Sequence, residues 1–241
     1  MSDRGTDPTP GPDPVAGPGQ VAEPDPVTGP DPVAGPGQVA GPEPVAGLVL
    51  AAGAGVRMGR PKALVRYRDE LLVERACRLL SEAGCHPVLV VLGAAADEVL
   101  AAARLPAGAG TVTNDAWPSG MASSLRAGLA ALRPEPAAVV VTLVDTPRVG
   151  IPAVHKLIAA WHAGAVAAQA TYRGEPGHPV LLSRAVLAEV AAAATGDRGA
   201  RDWLRSHPGV VARVPCDGTG YPSDLDTPED LAAALSAAGE E

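Results

Sequence analysis

From residue 47 onward, hydrophobic positions switch repeatedly between short unbroken runs and longer stretches with helical spacing. Leu48-Val49-Leu50, His86 to Gly93, Gly110 to Asn114 and Ala137 to Asp145 are apolar runs too short for helices and bounded by turn formers, the mark of buried strands. Leu71 to Ala83, which Gly84 stops, and Ala95 to Arg104 read as helices. Ser123 or Ser124 reads as the N-cap of a helix reaching about Leu132, and Pro152 to Ala163 as a helix with proline near its start. Ala165 to Thr171 and His178 to Leu182 read as strands with a glycine-rich connection. Helices over 184–193 and 199–206, a strand over 210–214 and a closing helix from Pro228 to Ala238 complete the series. This alternation predicts an α/β domain around a mostly parallel central sheet.

The first 46 residues break the pattern. GPDPVAGPGQVA occurs at 11–22 and again at 29–40. Text this rich in proline and glycine forms neither helix nor sheet and has no large side chains to bury, so residues 1–46 are expected to be a disordered tail and 47–241 the folded domain. Seven acids against Arg4 place about −6 of the chain's formal −8 in that tail. The body is therefore near neutral, which argues against a nucleic-acid-binding surface. The chain has no phenylalanine, so its core must be aliphatic, as suits a parallel sheet under alanine-rich helices. Cys77, Cys85 and Cys216 form no ligand cluster and cannot all pair within one chain, which fits a reduced, cytoplasmic setting. No leader pattern and no run of membrane-spanning length occurs, so no membrane association is expected.

Candidate chemistry begins at GLVLAAGAGVRMGRPKAL, residues 47–64. A strand ending at Leu50 runs into Ala51, Ala52, Gly53, Ala54 and Gly55, a loop whose backbone amides are barely shielded, so anionic oxygens can approach closely. Arg57 can fork onto a phosphate and Lys62 can add a point charge. Lys62 and Lys156 are the only lysines, against 17 arginines. The spacing is neither that of the Walker loop nor that of a dinucleotide fingerprint, and a plain turn with two solvated cations is the competing reading.

Asp145 closes the most continuous strand, at the sheet edge where α/β proteins place ligands. There a carboxylate can hold Mg²⁺ against triphosphate oxygens, or merely cap a turn. In SDLDTPEDL, residues 223–231, Asp224 and Asp226 point the same way if extended, and Thr227-Pro228 reads as an N-cap and first helical turn. Glu229 and Asp230 sit at the helix dipole's positive end and are simplest as structural residues. Asn114, Gly120, Ser123 and Ser124 gather near a helix start, which suits a base or phosphate as well as it suits a loop with its cap. His178 is isolated from any partner at metal-ligand spacing, which excludes a zinc site. Trp161 and Trp203 read as packing residues.

Taken together, LAAGAGVRMGRPK resembles the signature loop of nucleotidyltransferases related to the molybdenum cofactor guanylyl- and cytidylyltransferases, usually LAAGxSxRMGxxK. Ala54-Gly55 here replaces a pair ending in Ser, which removes one hydroxyl. The later segments follow in the family's order: N…W..GM..SL..G from Asn114, Asp145-Thr146-Pro147 where Asp-Gln-Pro is common, G-H-P-V at Gly177 to Val180, GDRGAR at Gly196 to Arg201, and the closing DLDTPEDL. The resemblance covers Leu48 to Leu231. It implies a Rossmann-like three-layer nucleotidyltransferase (nucleotide-diphospho-sugar transferase-like) fold with phosphates bound at residues 50–55, Arg57 and Lys62. Mg²⁺ would be held by Asp145 with Asp226, favoured over Asp224. His178 would contact a pterin-side substrate, and Gly196, Arg198 or Arg201 an acceptor phosphate, with Asp197 capping the helix after it. LAAG leans towards CTP and LAGG towards GTP. The implied reaction moves CMP from CTP to molybdenum-bearing molybdopterin and releases pyrophosphate, with a cofactor-insertion chaperone or a molybdoenzyme as protein partner. Alternatives are GTP, a sugar or alcohol phosphate acceptor, or a non-catalytic cofactor-binding chaperone.

Overall fold

The structure, a computed structural model, describes Gly11 and residues 43–237. In chain order these form β1 (Val45–Leu50), a small hairpin of β2 (Arg66–Tyr67) and β3 (Glu70–Leu71), α1 (Leu72–Glu82), β4 (Val88–Leu92), α2 (Ala96–Ala102), β5 (Gly110–Thr113) and α3 (Met121–Ala131). There follow β6 (Ala138–Leu143), α4 (Ile151–His162), β7 (Ala167–Tyr172), β8 (Glu175–Ser183), α5 (Leu187–Ala193), α6 (Arg201–Ser206), β9 (Val211–Pro215) and α7 (Pro228–Ala237).

Seven strands form one sheet in the order β5-β4-β1-β6-β8-β7-β9, and only β8 runs against the others. β1 lies between β4, in register Gly47 to Val88, and β6, in register Val45 to Ala138. Both faces of the sheet are covered, so its inner strands are apolar on both sides. Along β1, Val45 and Val49 face a core that includes Leu72 and Leu80 of α1 and Leu157 of α4, while Ala46, Leu48 and Leu50 face one with Leu125 of α3, Val190 of α5 and Trp203 of α6. The expected α/β fold with a mostly parallel, helix-flanked sheet is what the chain adopts.

Several boundaries differ from expectation. β1 begins at Val45, two residues inside the stretch assigned to the tail; the repeat text before residue 43 lies outside the described residues, Gly11 apart. The glycine-rich connection expected before a strand at His178 is shorter than that, a tight turn at Arg173-Gly174, and β8 starts at Glu175. Neither Ser123 nor Ser124 caps α3, because the helix starts at Met121 after Gly120 and both serines lie inside its first turn. The stretches 184–186 and 196–198 are single 3₁₀ turns preceding α5 and α6. Asp224 and Asp226 lie in irregular chain. Trp203 is buried, as a packing residue would be, and the three cysteines are buried and free.

Candidate active site

The parallel strands β1 and β6 deliver two segments to one edge of the sheet. Beyond Leu50, Ala51 still donates to Val91 O and Ala52 accepts from Ala94, but the amides of Gly53, Ala54 and Gly55 donate to no backbone carbonyl among the described residues. They are the bare donors the loop composition predicts. Gly55 has a φ of +62°, and a Cβ there would stand 2.0 Å from Arg60 O. The turn that returns the chain to Lys62 therefore closes only on glycine.

Lys62 opens a 3₁₀ turn (Lys62–Leu64) and sends its ammonium between two carboxylates, 2.6 Å from Asp145 Oδ2 and 2.5 Å from Asp226 Oδ1. Arg57, far more exposed, pairs with the other oxygen of Asp226 at 2.8 Å. Burial alone would lower the Lys62 pKa, but Asp145 and Asp226 outweigh it and hold the ammonium above its ordinary value. The Lys62 hydrogen bond correspondingly holds Asp226 below the usual carboxylate range. Asp145 Oδ1 is buried with no hydrogen-bond partner, an uncompensated acceptor that a cation would satisfy. No group of three acidic, His or Cys side chains placed to hold a metal occurs among the described residues. Two carboxylates with substrate phosphates completing the shell is nevertheless how Mg²⁺ is commonly bound, so the residues present fit such an ion.

These groups border a cavity of about 320 Å³ lined by Leu50, Ala52, Gly53, Gly55, Lys62, Asp145, Gly120, Ser124, Trp117 and Met121, among others. A second cavity of about 470 Å³ shares Leu50, Met121 and Leu143 with it. The second is walled by His178, Asp224, Thr146 and Gln169, and by four arginines: Arg198, Arg201, Arg205 and Arg213. Burial, reinforced by Asp145 and Asp226, pushes Asp224 up to about 6. His178 is driven by burial towards its neutral form, opposed by Asp145 and by a ring hydrogen bond to the Val141 backbone, and its Nδ1 is closed to solvent without a partner. Asp226, not Asp224, is thus the acid that joins Asp145 and Lys62; Asp224 belongs to the neighbouring cavity wall.

Other expected site residues brace the site, some of them (Gly120, Ser124 and Asp197) while also lining the first cavity. Asn114 donates to the hydroxyls of Ser123 and Ser124, at 2.8 and 3.1 Å, and Ser123 Oγ also lies 2.9 Å from Ala116 O. Asn114 and Ser123 therefore spend their polar groups on bracing the Trp117 turn against α3. Gly120, at φ +107°, leaves no room for a Cβ, which would meet Gly196 O at 2.6 Å, so Gly196 contributes as backbone packed on Gly120. Asp197 does not cap α6: its Oδ1 accepts from Met121 N at 3.3 Å, at the start of α3. Thr227 and Asp230 exchange hydrogen bonds across the first turn of α7, the expected capping role, and Asp230 also accepts from Asp226 N, fixing the approach of Asp226. Sequence reasoning missed Arg205, Arg213 and Gln169. Arg213 donates to Gln169 at 2.8 Å across β9 and β7, a pairing of distant strands that no local pattern marks.

A family model for the MobA-like NTP transferase domain matches residues 47–211. The nicotine blue oxidoreductase of Paenarthrobacter nicotinovorans is 39% identical over 190 residues, 76% of this chain and 92% of that protein. The crystal structure of Rv0371c from Mycobacterium tuberculosis H37Rv superposes with a TM-score of 0.72 at 32% identity, over 81% of this chain and all of that one. A structure of Rv0371c in complex with manganese gives 0.68 at 31% identity, over 80% and 99% of the two chains. Among the described residues no helix is long and apolar enough to cross a membrane.

Proposed function

The chain belongs to the MobA-like NTP transferase family, and from that premise we propose that it moves a nucleoside monophosphate from an NTP onto an anionic acceptor, with a divalent cation held by Asp145 and Asp226. The observation that carries this reading is the Lys62 ammonium bridging those two carboxylates beside a loop of unpaired amides. The amides of Gly53 to Gly55 bind the triphosphate, and Arg57 and Lys62 turn from their carboxylates to neutralise it. The cation supplies counter-charge to the phosphate oxygens when bound. The acceptor lies in the second cavity, where the arginines orient its phosphate towards the α-phosphorus. An acceptor oxygen forms the new P–O bond, the α–β bridge breaks, and pyrophosphate leaves with the electron pair. No side-chain nucleophile is needed. The manganese complex of Rv0371c supports the metal assignment by kinship, and the buried free thiols fit a cytoplasmic setting.

Cytidine is the base to test first, on Ala51-Ala52-Gly53, and molybdenum-bearing molybdopterin the first acceptor, with sugar and alcohol phosphates beside it. The measurement is Mg²⁺- or Mn²⁺-dependent pyrophosphate release with each NTP and acceptor in turn. Release is expected with at least one pair and should fall about 1,000-fold in Asp145→Ala. Silence with every pair, from folded protein, would sink the transferase reading. A second reading rests on the relative named nicotine blue oxidoreductase: this chain is an oxidoreductase acting on nicotine blue. Bleaching of nicotine blue by the protein with NADH or NADPH, without any pyrophosphate release, would favour it.

A further inference from the structure

Away from the carboxylates, a third concavity of about 830 Å³ collects an unusual set of side chains. All three tyrosines of the chain, Tyr67, Tyr172 and Tyr221, line it, with Arg68, Arg75, Arg148 and Arg173. Asp217 is the one acid on its wall among the described residues, so the lining carries a net charge near +3 in a protein that is negative as a whole. Arg148 and Arg173 form no ion pair among the described residues, while Arg75 pairs with Glu70 at 3.7 Å, donates to Pro147 O and lies over the Tyr67 ring. Two of these arginines occupy positions that ordinarily select glycine or asparagine. Arg68, at the tip of the β2–β3 hairpin, has φ +58°, and Arg173, in the β7–β8 turn, has φ +52°. The two-residue hairpin turns themselves call for positive φ at these places, and arginine stands there at a cost of about 1 kcal/mol relative to glycine. Arg148 stacks over Tyr221, 4.0 Å from its ring centroid, and that ring is about half exposed.

We propose that this concavity is a second ligand site, for a phosphate ester that carries a planar ring, of the nucleoside monophosphate class. Guanidinium forks match phosphate oxygens, and the Arg148–Tyr221 stack offers a flat surface to a base. The site shares Tyr172 and Pro222 with the arginine-walled cavity and lies on the chain that leads into Asp224 and Asp226. It goes beyond the transfer reaction and stands or falls separately from it.

Because every tyrosine lines this concavity and Tyr172 alone of them also faces the arginine-walled cavity, 3-fluorotyrosine labelling places ¹⁹F reporters at the site, with Tyr67 and Tyr221 separate from that cavity. The protein is titrated with uridine 5′-monophosphate, inorganic phosphate and sodium chloride, following the Tyr221 resonance assigned by its loss in Tyr221→Phe. We expect a saturable shift with the nucleotide, about tenfold weaker binding of inorganic phosphate, and no saturable shift with chloride. Arg148→Gln combined with Arg173→Asn should weaken the nucleotide about tenfold or more. Asparagine suits the turn and glutamine keeps much of the Arg148 stem, so an unchanged melting temperature is expected of that variant. In Lys62→Ala the Tyr221 titration should be unaltered. The proposal is overturned if Tyr221 does not respond, if it responds equally to chloride, if the double variant titrates like the wild type, or if Lys62→Ala abolishes the shift.

Discussion

Lys62 is the residue on which the site's charge balance turns. It neutralises half-buried Asp145 and Asp226 in one contact, and those acids in turn hold it charged. Removing it leaves two carboxylates facing each other beside Asp224, three like charges with Arg57 as the remaining close cation on Asp226. Lys62→Ala is therefore expected to lower kcat for pyrophosphate release by about 100- to 1,000-fold, since a preorganised charge at the reacting phosphates is lost. Lys62→Arg should not restore it, because a planar fork cannot take the place of a compact ammonium between two carboxylates less than 3 Å away. Steady-state kinetics of both variants check this, and recovery in the arginine variant would show that bulk charge is all the site requires.

Elements carry the site by their ends, and the ends are where sequence reading was weakest. β1 and β6 were legible because unbroken apolar runs between turn formers have few other solutions; the Leu50 end followed from them, whereas β6 stops at Leu143 and Asp145 lies in the turn beyond it, not at the end of the strand. The start of α3 was not legible. Serines at 123 and 124 look like caps, but the observed contact comes from Asp197, 76 residues away. The β2–β3 hairpin escaped notice because its strands are two residues each. That hairpin is tied to α1 by Glu70, which accepts two hydrogen bonds from Arg78 at 2.9 Å. The Arg78 bond holds Glu70 below its ordinary 4.5. A depressed carboxylate contributes stability that is present above that value and is lost as pH falls through the folded one. Arg78 is partly solvated, so screening limits the contribution to about 0.5–1 kcal/mol. Glu70→Gln should consequently melt about 1–4 °C lower than the wild type at pH 7, with the gap narrowing progressively as pH falls below 4.5. Thermal melts across that range test this; an equal gap throughout would assign the loss to packing.

At the scale of the molecule, the sequence marked where the body begins but not to the residue. Pro/Gly-rich text obscured Val45 and Ala46, because the repeat's own PVAG flows unbroken into the strand. In the structure both are buried and pair with Ala138 and Val139 of β6. The arginine-walled cavity was legible only where chemistry is concentrated in a motif: Arg201 stood in a recognisable string, whereas Arg213 and Gln169 come from separate strands and meet only once the sheet exists. The two core clusters are built from Val45 onward on both faces of the sheet. A chain starting at residue 43 should therefore fold with the wild-type melting temperature, within about 1 °C, and release pyrophosphate at the wild-type rate. A chain starting at residue 47 loses two buried side chains and the first rungs of the central strand. Its expected cost is about 2–4 kcal/mol, a drop of roughly 5–15 °C for a domain of this size. Calorimetry of the two truncations separates the cases: if the longer truncation melts like the shorter, the edge of the domain lies after Ala46, whereas if the shorter already melts low, residues before 43 contribute to the fold.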